Sequence, residues 1–172
     1  MRSALLFSLA LLLAGCATAD RPPALATDFG QNPAAEGWAH GELASESETR
    51  FAMWSEMDSG QPGVLTAMGT YWQTPWFAVR PGAHYRLSAR ARADAPVRLA
   101  ARFAAGPGEA QPLGHIGELP AAKTWGRSDL YFTAPRGTDR ARVRLQPRGK
   151  QTTLQLDELS VTPVRSEEHT SE

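Results

Sequence analysis

The chain reads as an all-β protein, a two-sheet antiparallel β-sandwich of the jelly-roll kind, and three observations carry that reading. Apolar residues recur with a period of two rather than 3.6. Gly and Pro are frequent, with 15 and 13 copies among 172 residues. They fall between the alternating runs, where turns are needed. The length suits one domain with one hydrophobic core.

Taken in chain order, the expected strands begin with Arg50–Met57, Gly63–Gly69 and Trp72–Val79. Next come the clearest alternations. Tyr85, Leu87, Ala89 and Ala91 interleave with Arg86, Ser88, Arg90 and Arg92. Val97, Leu99, Ala101 and Phe103 interleave with Arg98, Ala100, Arg102 and Ala104. After a strand over Ser128–Thr133, Ala141, Val143 and Leu145 interleave with Arg142, Arg144 and Gln146, and Leu154–Val161 closes the set. Each such run puts one face on a core and one in water; a helix would scatter the arginines around its circumference. Pro62-Gly63, Pro81-Gly82, Gly106-Pro107-Gly108, Pro135-Arg136-Gly137 and Arg148-Gly149 separate the runs as turns. Between Leu156 and Leu159 the spacing of apolar residues shifts, which predicts a bulge.

Net charge is zero, which gives non-specific nucleic-acid binding no support. The distribution is uneven. Asp28 to Asp58 holds seven acids and one base, whereas Arg80 to Lys150 holds fourteen Lys or Arg against five acids. The cations are read as solvating strand faces, in preference to an anionic-ligand surface.

The N-terminus has the layout of an export signal: Arg2, an apolar run from Ala4 to Leu13, then small residues. That run is too short to span a bilayer. Leu13-Ala14-Gly15-Cys16 resembles the lipobox of bacterial lipoproteins, which implies a signal over 1–15 and acylation of Cys16, the sole cysteine. Ala17 follows, where an Asp would favour retention in the inner membrane; the resemblance implies the outer membrane of a Gram-negative bacterium. Residues 16–24, with Pro22-Pro23, read as a stiffened tether, and the folded domain is expected over 25–164.

The order of landmarks within that domain is informative. Asp28-Phe29 is followed by Gly37-Trp38, then Trp72-x-x-x-Trp76-Phe77-x-Val79, then Pro81-Gly82-x-x-Tyr85-x-Leu87-Ser88-Ala89. Thr124-Trp125 leads to Phe132-x-Ala134-Pro135, and Leu154-x-Leu156-Asp157-x-Leu159-Ser160-Val161 ends the series. This pattern resembles the carbohydrate-binding modules of the family 4/9/22 kind, which are galactose-binding-like jelly rolls. The resemblance implies a poly- or oligosaccharide ligand, with Trp38 and Trp125 used for packing. It also implies a structural calcium held by an acid after the early Phe and an acid in the last strand. Here Gly30 follows Phe29, so half of that pair is missing, and Asp157 alone is kept as a candidate Ca²⁺ ligand.

Sugar faces stack on exposed aromatic rings, so strand parity selects the binding candidates. With Phe77 and Val79 inward, Trp72, Thr74 and Trp76 point away from the core; Trp72 and Trp76 then stand about 13 Å apart. With Phe51 and Met53 inward, Trp54 points out, and with Leu130 and Phe132 inward, so does Tyr131. Gln73, Glu56 and Arg90 are candidates for hydrogen bonds to hydroxyls. For Trp72 and Trp76, packing under loops is an equal alternative.

Catalytic patterns are missing: no Gly-x-Ser-x-Gly elbow, no His-Glu-x-x-His, no phosphate loop and no Cys/His cluster. Glu42, Glu46 and Glu48 sit in a polar stretch and read as a solvated loop. Arg165-Ser166-Glu167-Glu168-His169-Thr170-Ser171-Glu172 breaks the alternation and resembles the translation of a sequencing-adapter read. It is therefore set aside, and a downstream domain beyond Val164, of glycoside-hydrolase or other polysaccharide-acting kind, is expected. The chain is read as a non-catalytic carbohydrate-binding module on a lipid-anchored envelope protein, the alternative being a structural or protein-binding sandwich.

Overall fold

The computed structural model describes residues 22–42, 51–55, 63–106, 108, 110–149 and 152–165. Cys16 with its signal, Glu46, Glu48, Glu56 and the adapter-like tail from residue 166 lie outside them.

Twelve strands run in order among the described residues: β1 (Leu25–Thr27), β2 (Ala39–Glu42), β3 (Phe51–Ser55), β4 (Val64–Met68), β5 (Thr70–Gln73) and β6 (Phe77–Ala78). They continue with β7 (His84–Ala93), β8 (Val97–Ala104), β9 (Gly114–Leu119), β10 (Ala122–Thr133), β11 (Arg140–Pro147) and β12 (Thr153–Val164). All pairings are antiparallel. The first sheet has the order β10-β7-β12-β4-β3, with β1 also on β12. The second has the order β2-β5-β11-β8-β9, with β6 also on β11. The expected all-β sandwich is what the chain forms.

The alternating sequences explain the core between the sheets. In β11, Ala141, Val143 and Leu145 are fully buried while Arg140, Arg142, Arg144 and Gln146 face out. Across the sandwich, Leu87, Leu156, Leu159 and Val161 are equally buried. Burying one such side chain contributes about 1.5–3 kcal/mol. The expected bulge in the last strand lies between Leu156 and Glu158, where β12 shifts register on β7 and turns Asp157 toward Arg90.

Expected Trp72–Val79 is two strands rather than one. Thr74, Pro75 and Trp76 interrupt it, and Pro75 has no N–H to give a ladder. Thr74 replaces part of the lost ladder: its backbone N–H donates to the Val143 carbonyl at 2.9 Å, and its hydroxyl oxygen accepts from the Val143 N–H at 2.9 Å. Parity therefore does not carry from Phe77 back to Trp72.

One close approach fixes the start of the domain. Phe29 is buried with φ of 54°. Its N–H donates to Thr27 Oγ1 at 3.1 Å, and its carbonyl accepts from Trp54 Nε1 at 2.9 Å. Gly63 crosses directly above, and a Cβ there would overlap both the Phe29 carbonyl and the Trp54 ring. Gly63 thus needs to be glycine for space.

Candidate functional site

The sequence candidates do not form one site. Trp72 is 5% exposed and sits opposite Leu145 in the core. Its Nε1 donates to the Thr66 carbonyl at 2.9 Å, and its ring meets His40 edge-on at 5.2 Å. The expected outward orientation of Trp72 and Thr74 is corrected, because the break at Pro75 resets the alternation. Trp54 is half-buried and packs against the core, while Met53 is 49% exposed, the reverse of the expected parity. Phe29's carbonyl draws the Trp54 indole inward. Trp38, Trp54 and Trp72 line one hollow of 520 Å³ beside β2 and β3, and Trp38 packs edge-on to Phe29 at 5.0 Å.

Arg90 and Tyr131 lie on the outer face of the first sheet. Arg90 pairs with Asp157 at 3.0 Å, and Tyr131 stands opposite Arg86. Trp125 is half-buried on this same face, with Arg90 and Arg92 over its ring at 5.6 and 5.2 Å. Its packing partners are therefore arginines of the outer face. Arg127 pairs with Glu158, and Arg92 donates to Gln155.

Asp157 does not fit a calcium site. One oxygen is held by Arg90, and among the described residues no three His, Cys, Asp or Glu side chains converge. Asp28 is turned to its own loop, accepting from Gly30 N–H at 3.0 Å. Ca²⁺ takes six to eight oxygens. Burial pushes the Asp157 carboxyl above its ordinary range; the charge of Glu158 adds to this, and Arg90 opposes it.

Trp76 and Gln73 belong to the second sheet's outer face, and there the register collects a group that no local pattern reveals. Arg140, Arg142 and Arg144 alternate outward along β11, and Arg102 of β8 stands directly opposite Arg142. Gln73 stands opposite Arg144 but is buried. Arg140 and Arg142 lie over the Trp76 ring at 4.9 and 4.7 Å, and Arg144 lies over Tyr71 at 3.9 Å. Such stacks hold guanidinium planes in place at about 0.5–2 kcal/mol each. Gly41, across from Tyr71 in β2, leaves the room that the Tyr71 hydroxyl fills.

The Nε atoms of all four arginines are shut off from solvent and have no hydrogen-bond partner among the described residues. No described carboxylate pairs with any of the four. Burial, then the charges of Arg102, Arg144 and Arg140, push the Arg142 guanidinium below its ordinary value. The sequence reading of these arginines as solvating a strand face holds for their outward, partly exposed placement but not for their Nε atoms. Only Arg140, Arg142 and Arg144 share a visible parity; Arg102 joins them through strand pairing.

No family model matches the sequence, and no curated protein matches it. Solved structures do. The CBM22-1 xylan-binding domain of Paenibacillus barcinonensis Xyn10C is similar at a TM-score of 0.56 and 12% identity, over 84% of this chain and 96% of that one. The CBM22-1–GH10 modules of Clostridium thermocellum xylanase 10B, solved with xylohexaose, are similar at 0.60 and 11% identity, over 83% of this chain. This chain spans 29% of that two-module protein. A CBM4 structure is similar at 0.50 and 18% identity, over 80% of this chain and 92% of that one. By fold, the chain is a jelly-roll sandwich of the same kind as these carbohydrate-binding modules.

Proposed function

We propose that the protein is a non-catalytic carbohydrate-binding module whose ligand lies on the outer face of the second sheet. The observation that carries this is the convergence there of Trp76, Tyr71 and four guanidiniums that meet no carboxylate among the described residues. Hydroxyl-rich ligands need donors and acceptors on an apolar floor, and this face combines both. The similar structures named as xylan-binding support the reading through a shared fold, which by itself does not assign a ligand. Trp76 contributes the part of its ring left exposed; the forks above it contribute N–H donors. In the same reading, Cys16 is the lipid anchor at the outer membrane. The domain tethers a polysaccharide-acting partner, encoded beyond Val164, to its substrate.

Titration of the purified protein against a panel of soluble plant and bacterial polysaccharides tests this. Binding to at least one glycan is expected, weakened roughly tenfold or more by Trp76→Ala, as for loss of a buried aromatic anchor. Binding that survives Trp76→Ala unchanged contradicts the placement.

A second reading, a structural or protein-binding sandwich, draws on the burial of Trp72 and on the tryptophan-lined hollow beside exposed Met53. Lack of binding across the whole panel favours it.

A further inference from the structure

We propose that the ligand of this face is an anionic glycan, a polysaccharide bearing carboxylate or sulfate groups that are gripped by Arg102, Arg140, Arg142 and Arg144. The inference rests on the carbohydrate-binding reading of the same face and names the class of sugar. Its first support is arrangement. Three guanidiniums stand on alternate residues of one strand, so the row is about 13 Å long. Arg102 lies beside its middle. A row of that length faces more than one ring of an extended chain. Guanidinium forks match planar oxyanions with two parallel hydrogen bonds, which ammonium groups do not.

The second support is the unmet demand within the group. Four cations held together raise one another's energy, and a fold under selection for stability alone places acids among them. The opposite sheet does this with Asp157 and Glu158. Here Arg142 lies over the Trp76 ring, and the titratable groups that act on its charge are three guanidiniums and the Tyr71 phenol. The four Nε–H groups lack acceptors among the described residues, and a buried donor left unmade costs about 1–3 kcal/mol. Aromatic rings under Arg140, Arg142 and Arg144 hold the forks in place, so little ordering remains when an anion arrives. An oxyanion at the outer ends of the forks supplies the missing charge.

A neutral sugar hydroxyl supplies acceptors without charge. A bilayer surface is best met by protruding cationic tips, whereas these side chains are half-buried with their Nε atoms sunk from solvent. The face therefore suits a flexible polyanion that reaches in.

The test pairs ligands of matched backbone: polygalacturonate against its methyl ester, and dextran sulfate against dextran, titrated into the purified protein at low and moderate salt. The expected result is binding to at least one charged member, at least roughly tenfold weaker for its neutral partner and weakened by salt. Which charged polymer binds separates carboxylate from sulfate. Arg142→Gln and Arg102→Gln are expected to weaken binding roughly tenfold or more, and Arg127→Gln on the other sheet to leave it unchanged. The matched ligands need no variant, so misfolding of a variant cannot hide the answer. Equal affinity for charged and neutral partners overturns the inference. So does binding to xylan that needs Trp76 and ignores the arginines, an outcome that keeps the carbohydrate reading. Equal binding to phosphatidylglycerol vesicles or single-stranded DNA also overturns it, as a general anion surface. Lack of binding to any glycan removes both readings.

Discussion

The two outer faces of the sandwich carry the same ingredients and use them differently. On the first sheet, Arg90 and Arg92 lie over Trp125, but Arg90 also reaches Asp157 at 3.0 Å and Arg127 reaches Glu158. On the second, Arg140 and Arg142 lie over Trp76 and Arg144 over Tyr71, with Arg102 alongside and no described carboxylate among them. On the first face Arg90 and Arg127 meet carboxylates of the fold, and Asp157 Oδ1 is buried without a partner among the described residues. The second holds four like charges whose Nε–H groups have no acceptor among the described residues. Cation–aromatic stacking is thus common to both faces; the placement of acids is what separates them, and it is why the ligand is proposed on the second. Folds tend to break their own rules where function requires it.

The largest effect should come from a tryptophan that is in neither face. Trp72→Ala removes a buried ring and its hydrogen bond to Thr66, and should lower stability by about 3–5 kcal/mol in chemical denaturation. Trp76→Ala, on the half-buried outer face, should cost far less stability while reducing glycan binding. Equal stability costs for the two would erase the distinction between core and site.

Next in size is the contrast between faces. Arg90→Gln strips the nearly buried Asp157 of its partner and should cost about 1–3 kcal/mol. Arg142→Gln gives up a stacked cation but relieves repulsion from Arg102, Arg140 and Arg144. Its stability should stay within about 1 kcal/mol of the parent, or rise, at low salt. A loss from Arg142→Gln as large as that from Arg90→Gln would mean that Arg142, like Arg90, is balanced within the fold.

The smallest effect is in pH. The Asp157 carboxyl titrates above its unfolded value because it is buried, so the folded state holds its proton more tightly. That contribution to stability is complete below the ordinary carboxylate range. It is lost as pH rises through the raised value. Asp157→Asn abolishes this loss. The stability difference, variant minus parent, should therefore grow from the ordinary aspartate range upward and then level off. A difference that shrinks over this window would show that Arg90 outweighs burial.

Much of the fold is legible in the sequence, and the candidate site is not. Strands β7, β8 and β11 declare themselves because apolar residues recur at every second position, with arginine at many of the positions between. Strands β1, β2 and β9 do not, being short or rich in Gly and His, residues with little strand preference. Trp72 misleads because Pro75 splits its strand from β6, and parity is only a local rule. Met53 misleads because β3 is an edge strand that leaves it exposed. The arginine group depends on the pairing of Arg102 with Arg142, residues forty positions apart. Pairing of that kind is set by the packing of the whole sheet.

The most direct measurement follows the arginine Nε–Hε and tryptophan indole signals by NMR while polygalacturonate or dextran sulfate is added. The account predicts that the signals of Arg102, Arg140, Arg142, Arg144 and Trp76 move together, and that those of Arg90 and Trp125 stay in place. Shifts at Arg90 and Trp125, or in the hollow at Trp54, with the four arginines unmoved, would contradict it.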